Sequence, residues 1–204
     1  MKRAISIHEI YTKRRKVLPF DGIWEAHIGK PELKGSWIIW GNSGNGKTGY
    51  AIQLAKYLSK FGRVAYNGLE EGNSESFAEA CKRNNMDKCR GRFVLIEDSI
   101  EELDHRLNLH KSPDIIFIDS LQYSGINYTS YKELIKKYSN KLFIWISHAE
   151  GRNPEGRIAK KVRYDAFVKI YVEGYTANAV SRYGGKESYI IWQEGADQYN
   201  LTIR

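Results

Sequence analysis

A chain of 204 residues, 42% apolar and 27% charged, is long enough for one well-buried domain and too short for two ordinary ones. No run approaches the roughly 18 to 20 apolar residues of a membrane helix. Met1-Lys2-Arg3-Ala4 leads into no apolar signal core, and two cysteines without metal-site companions make no disulfide scaffold, so a cytoplasmic protein without membrane contact is expected. The 32 basic and 24 acidic residues leave a net charge of +8, which suits a polyanionic partner, most simply nucleic acid.

Charge is segregated along the chain. Residues 1–20 carry Lys2, Arg3, Lys13, Arg14, Arg15 and Lys16 against Glu9 and read as a basic N-terminal arm, with a single domain expected over 21–204. Residues 36–40 read as a buried strand. Gly41-Asn42-Ser43-Gly44-Asn45-Gly46-Lys47-Thr48 follows, a full match to G-x-x-x-x-G-K-[ST]. Its glycines allow a concave nest of backbone N–H groups, and the next helix adds its positive end. Gly41 through Gly49 are therefore the candidate phosphate-binding residues. Lys47 is placed to bridge the β- and γ-phosphates, and Thr48 to bind Mg²⁺. A helix is predicted over 47–61 from Ala51, Leu54, Ala55 and Leu58 at i, i+3, i+4, i+7, ended by Gly62.

A strand is predicted over 63–66. Glu70 and Glu71 follow it, at the edge where ligands collect in open α/β sheets. One of the two is the candidate base for an attacking water, with Glu70 favoured; otherwise both favour the start of the next helix through its dipole. Helices over 74–84, 100–110 and 131–138 alternate with strands over 93–96, 114–119 and 142–147. That alternation predicts right-handed crossovers and a mostly parallel sheet covered on both faces. Asp119 ends the run Ile115-Ile116-Phe117-Ile118 and is the candidate second Mg²⁺ anchor; Asp114, at the other end, is weaker. Residues 152–169 again concentrate basic groups: Arg152, Arg157, Lys160, Lys161, Arg163 and Lys169. Strands over 167–172, 177–182 and 189–192 are predicted as antiparallel additions to one edge.

Taken together, the P-loop, Ala65-Tyr66-Asn67-Gly68-Leu69-Glu70-Glu71, Ile118-Asp119-Ser120-Leu121-Gln122 and Ile146-Ser147-His148 resemble the RecA-type ATPases. Within them they are similar to the core of RadA DNA-repair ATPases and DnaB-type helicases. The resemblance spans about residues 18–194 and implies a RecA-like α/β fold, with ATP and Mg²⁺ as ligands. It implies Glu70 as catalytic base, Asp119 as magnesium anchor and His148 as γ-phosphate sensor. His148 read alone is an ordinary strand-end histidine. Ser181-Arg182-Tyr183-Gly184 resembles the end of the Lys-Asn-Arg-Phe-Gly motif of RadA, with Val180 in place of the lysine. The zinc-binding and protease-like domains of RadA have no counterpart in these residues, as in the compact versions met in phages and mobile elements.

The resemblance further implies a homo-oligomer, ring or filament, with Arg182 or Lys186 reaching a neighbour's nucleotide. It implies a flexible DNA-touching loop over 149–157, leading to Lys160, Lys161 and Arg163, and hence DNA, single-stranded, as partner. The expected function is ATP hydrolysis coupled to DNA binding in recombination, repair or replication. The alternatives are a nucleotide-gated loader or partition-type module, and a P-loop small-molecule kinase.

Overall fold

Apolar runs with no polar alternation demand cover on both faces, and the chain supplies it. The computed structural model describes residues 3–202; Lys2 of the basic arm lies outside the described residues. The strands are β1 (Gly35–Trp40), β2 (Val64–Gly68), β3 (Phe93–Ile96), β4 (Ile115–Asp119), β5 (Leu142–Ser147), β6 (Ala149–Glu150), β7 (Asn153–Pro154), β8 (Val168–Glu173), β9 (Thr176–Ser181) and β10 (Tyr189–Ile190). The helices are α1 (Ile7–Thr12), α2 (Gly22–Ile28), α3 (Lys47–Leu58), α4 (Glu75–Arg83), α5 (Ile100–Asn108), α6 (Tyr128–Lys137), α7 (Gly156–Asp165) and α8 (Gln193–Thr202), with a 3₁₀ turn at Met86–Cys89. Eight strands form one sheet in the order β10-β9-β8-β1-β5-β4-β2-β3, and β6 and β7 pair separately.

Strand periodicity splits the core in two. Trp37, Ile39, Tyr66, Phe117, Ile144 and Ile170 face a cluster with Trp24 of α2, the apolar side of α3, and Phe77 of α4. Ile38, Trp40, Ile116, Ile118, Phe143 and Trp145 face Leu103 and Leu107 of α5, Tyr131 and Leu134 of α6, and Ala159 and Val162 of α7. Leu18 and Phe20 belong to the first cluster. Upstream of them α1 buries none of its residues.

The expected fold class holds, with three local corrections. The first of the C-terminal strands, β8, lies parallel to β1 (Trp37 opposite Val168), and only β9 against β8, then β10 against β9, pair antiparallel. The segment expected as an irregular loop over 149–157 is a short β6–β7 hairpin that runs into α7. Finally, α6 starts three residues before the predicted 131, because Asn127 caps it by accepting from the Ser130 N–H; a polar side chain at the N-cap outweighs the apolar pattern. The sequence pattern predicts no helix at α1, α2, α7 or α8. No helix among the described residues is long and apolar enough to cross a membrane.

One buried polar group links α2 to the C-terminal strands. His27 is fully buried. Its Nδ1 lies 2.6 Å from the Glu187 carbonyl and its Nε2 2.8 Å from the Tyr50 hydroxyl. A neutral ring satisfies both contacts: Nδ1–H donates to the carbonyl, and Nε2 accepts from the tyrosine. Burial pushes the imidazole below its ordinary 6.5, against the pull of the Glu187 carbonyl. The unfolded chain therefore takes up a proton as pH falls through 6.5 while the folded chain does not, so stability is full above that value and declines below it. The expected loss reaches at most about 1.4 kcal/mol per pH unit. Thermal midpoints measured from pH 7.5 down to 5 will fall less steeply for His27→Gln than for the parent; equal slopes would remove His27 as the cause.

Candidate functional site

The site forms where β1, β4 and β5 deliver their carboxyl ends side by side, with Trp40 opposite Ser147 and Asp119 opposite Ile146. β1 runs straight into the Gly-rich turn. Gly41 has no room for a side chain, since a Cβ would sit 2.2 Å from the Val172 carbonyl oxygen. Gly44 and Gly46 take left-handed backbone, φ +76 and +97, which a non-glycine residue adopts only at a cost. Gly46 is the N-cap of α3 and offers no capping side chain. The first N–H groups of α3 thus face the turn without a protein acceptor, the arrangement that binds phosphate.

The loop is clamped by the turn after β8, the strand beside β1. Asn45 accepts from the Gly174 N–H at 2.7 Å through its side chain, and its carbonyl accepts from the Tyr175 N–H at 3.1 Å. The β8–β9 turn is thereby fixed to the P-loop. Tyr175 pays for this with a left-handed φ of +56. Asn42 contributes through its backbone: Lys47 Nζ donates to its carbonyl at 3.0 Å.

Lys47, Thr48, Glu70, Glu71, Asp119, Ser120 and His148 line one cavity of about 310 Å³, together with P-loop residues Ser43, Gly44, Gly46 and Gly49. Asp119 accepts from the Tyr66 hydroxyl at 2.5 Å. Burial pushes its carboxyl up to about 6, and neighbouring Glu70 and Glu71 push the same way while Tyr66 and Lys47 oppose. The Asp119–Ser120 peptide is cis. Lys47 is pulled below its ordinary value by burial, with Asp119, Glu70 and Glu71 opposing. A buried carboxyl raised by its surroundings gains from a bound cation, and the donor set of Thr48 hydroxyl and Asp119 oxygen is the hard-oxygen type that suits Mg²⁺. The residues present fit the metal.

The two glutamates part ways. Glu70 Oε2 lies 2.9 Å from His148 Nε2, and the same nitrogen lies 3.4 Å from the Ser120 hydroxyl. Glu71 accepts from Ser76 at the start of α4 instead. The backbone N–H groups of Leu69 and Glu70 both donate to the Asp119 carbonyl, at 2.6 and 3.1 Å, so the glutamate turn and the end of β4 are tied together. Asp114 is at the other end of β4 and accepts from the Arg63 N–H.

The remaining basic candidates lie outside this cavity. Lys160 pairs with Glu150 at 3.0 Å, Arg163 donates to Asn153 at 2.7 Å and stacks 4.9 Å over Trp40, and Lys161 sits 4.6 Å over Tyr128. Arg152 and Arg157 are exposed. Arg182 follows β9 at the sheet edge away from the P-loop, 4.7 Å over the Phe167 ring, with its N–H on the Phe167 carbonyl. Lys186 is exposed, and its backbone N–H donates to Ala26 of α2. The chain does not bring Arg182 or Lys186 to its own site.

Sequence reading missed Tyr66, Asn45 as a clamp, and the second cavity beside the first. That cavity, of about 640 Å³, shares Gly46, Thr48, Gly49, Glu71 and Tyr175 and adds Gln53, Arg83, Asn84, Ile191 and Trp192. Gln122 was also missed: its amide donates to the Ser147 hydroxyl at 2.9 Å and to the Glu155 carbonyl at 3.1 Å. The side-chain contacts among these join residues 25 to 129 positions apart, and local pattern carries no signal for them.

No protein-family model and no curated protein matches this chain. Among solved structures it is similar to the flagellar accessory protein FlaH from Methanocaldococcus jannaschii, with a TM-score of 0.61 and 17% sequence identity over 85% of this chain and 92% of that one. At that identity the likeness concerns the fold, and the fold is RecA-like: a mostly parallel eight-stranded sheet with helices on both faces and antiparallel pairing at one edge.

Proposed function

We propose that the protein binds and hydrolyses ATP with Mg²⁺. The single observation that supports this most is the convergence of Lys47, Thr48, Asp119, Glu70 and His148 on one 310 Å³ cavity at the open start of α3. In this reading the backbone N–H groups of the loop hold the β- and γ-phosphates, and Lys47 leaves the Asn42 carbonyl for a phosphate oxygen. Thr48 and Asp119 hold Mg²⁺, which supplies charge neutralisation on the phosphate oxygens. Glu70 accepts a proton from the attacking water, and His148, 2.9 Å away, orients the carboxylate toward it. The nucleoside end occupies the adjoining 640 Å³ cavity, where Tyr175 and Trp192 offer ring faces and Asn84 and Gln53 offer amides.

The reading extends to coupling with single-stranded DNA and to self-assembly, supported by the net charge of +8 and by the exposed Arg152 in the hairpin beyond β5 and Arg157 in the first turn of α7. Phosphate release measured against protein concentration, with and without single-stranded DNA, tests all three parts. Magnesium-dependent turnover that rises with concentration and with DNA is expected. Absence of turnover at every concentration would overturn the hydrolase. Phosphoryl transfer to an added small-molecule acceptor without hydrolysis would favour the kinase. A flat response to DNA would remove the coupling.

A further inference from the structure

A second cavity, of about 290 Å³, opens at the opposite edge of the sheet from the P-loop. Its walls come from the residues that lead into β2, β3 and β4 and from the turn after α5. Arg63, Arg92, Arg106 and Lys111 line it with His110, and no carboxylate lines it among the described residues. Such a concentration of one sign is costly unless each charge has a partner or faces water.

The four cations are not equivalent. Arg106 is neutralised by Asp98, through Nε at 2.5 Å and Nη2 at 2.9 Å. Arg63 and Arg92 donate to carbonyls instead: Arg63 to Ser112 at 3.2 Å, Arg92 to Ser59 and Lys60 at 3.4 Å each. Those contacts orient the guanidinium groups without cancelling their charge. Lys111 is exposed and held on a left-handed backbone, φ +65, a conformation that a lysine adopts only when its surroundings impose it. The support is visible. Lys141 is buried beneath the turn, and its Nζ donates to the Ser112 hydroxyl at 2.9 Å and the Pro113 carbonyl at 2.7 Å. Asp114, which follows Pro113, accepts from the backbone N–H of Arg63. The cavity also has an apolar side: Val94 and Leu109 line it and are each about half exposed, at 50% and 55%.

We infer that this cavity is a second anion site, distinct from the P-loop, that binds phosphate groups carried by a nucleic-acid strand or by a free nucleotide-like compound. Arg63, Arg92 and Lys111 contact the phosphates, and Val94 and Leu109 lie against the sugar or base. Guanidinium groups suit phosphate oxygens because they present paired donors in a plane. The inference does not depend on hydrolysis, since no residue of this cavity belongs to the ATP site.

The test uses the double charge reversal Arg92→Glu/Lys111→Glu, two exposed positions whose change leaves the core intact. A fluorescein-labelled oligothymidylate is titrated with saturating Mg-ADP present, so that the P-loop is filled. Inorganic pyrophosphate is titrated by calorimetry into Lys47→Ala protein with and without the double reversal. The expected result is at least a tenfold loss of affinity for one or both probes. For the strand, the slope of log affinity against log salt should also flatten by about 0.7 per lost contact. Loss for the oligothymidylate identifies a strand as the ligand, and loss for pyrophosphate alone identifies a small phosphate compound. The inference is overturned if neither probe binds the parent protein, or if both bind the double reversal as tightly as the parent. It is overturned equally if Arg152→Ala/Arg157→Ala removes strand binding while the double reversal leaves both probes unaffected. Turnover of ATP without DNA should not change in the double reversal, which separates this site from the catalytic one.

Discussion

Lys47→Ala is expected to reduce ATP turnover to background while the protein stays folded. Lys47 is the one lysine or arginine among the described residues that line the 310 Å³ cavity. It faces Asp119, Glu70 and Glu71, and all three act to keep it charged against burial. Without the ammonium, a triphosphate of about four negative charges would meet three carboxylates with no opposing side chain, so binding weakens as well. The chemical step loses more, because the ammonium acts where charge builds between the β- and γ-phosphates in the transition state. Removal of one such donor costs about 10² to 10³ in rate, and here none of the neighbours substitutes. Gly46 precedes it without a side chain, Thr48 follows it with an uncharged one, and Arg83 belongs to the adjoining cavity. Lys47→Arg should rescue little, since a planar guanidinium on a longer stem does not fit the space that Nζ occupies beside the Asn42 carbonyl. Phosphate release and binding of a fluorescent ATP analogue check both parts, with the melting midpoint as control for folding. Parent-level turnover in Lys47→Ala would show that the cavity is not the site of hydrolysis.

The candidate site was legible in the sequence because each of its parts is local. A strand, a Gly-rich turn and an amphipathic helix announce the P-loop within about 20 residues, and Asp119 is visible as the acid that ends an apolar run. Strand identity was legible for the same reason: unbroken runs such as Leu142–Ser147 have no exposed face in a doubly covered sheet. Strand direction at the C-terminal edge was not. Whether β8 lies along β1 or against it depends on α7, which carries the chain back across the sheet. That helix was hidden because Gly156 and the basic residues at 157, 160, 161 and 163 look like a solvated loop, and its buried stripe is only Ala159 and Val162. In α8, Gly195 and Ala196 are the buried residues, too small to register as an apolar face. The glycine is required there: a Cβ at 195 would lie 2.3 Å from the Trp192 ring. Tyr66 illustrates the remaining limit. As a strand residue it looks like packing, and it does stack on Phe117, yet its hydroxyl reaches Asp119 only because β2 and β4 are neighbours.

Glu70→Gln and Glu71→Gln are expected to separate cleanly, although the residues are adjacent. A strand end followed by a turn sends consecutive side chains to different places, and here Glu70 meets His148 at 2.9 Å while Glu71 meets Ser76 at 3.2 Å. The amide of Glu70→Gln keeps the size of the carboxylate and can still contact the imidazole. It cannot accept a proton from water, so ATP should bind normally while turnover falls by about 10² or more. Glu71→Gln removes a charge from the rim and should change turnover by less than a factor of about five, with any effect confined to nucleotide affinity through Lys47. His148→Ala adds the third arm. If the histidine orients Glu70, its loss lowers turnover by about tenfold or more but by less than the loss of Glu70 itself. The double change Glu70→Gln/His148→Ala is then no worse than Glu70→Gln alone, because an orienting group has nothing left to orient. Additive losses would instead mean that His148 acts on the phosphate independently of Glu70. Loss of turnover in Glu71→Gln with parent-level activity in Glu70→Gln would move the base to the other carboxylate, and would require the turn over residues 69–72 to rearrange when nucleotide binds.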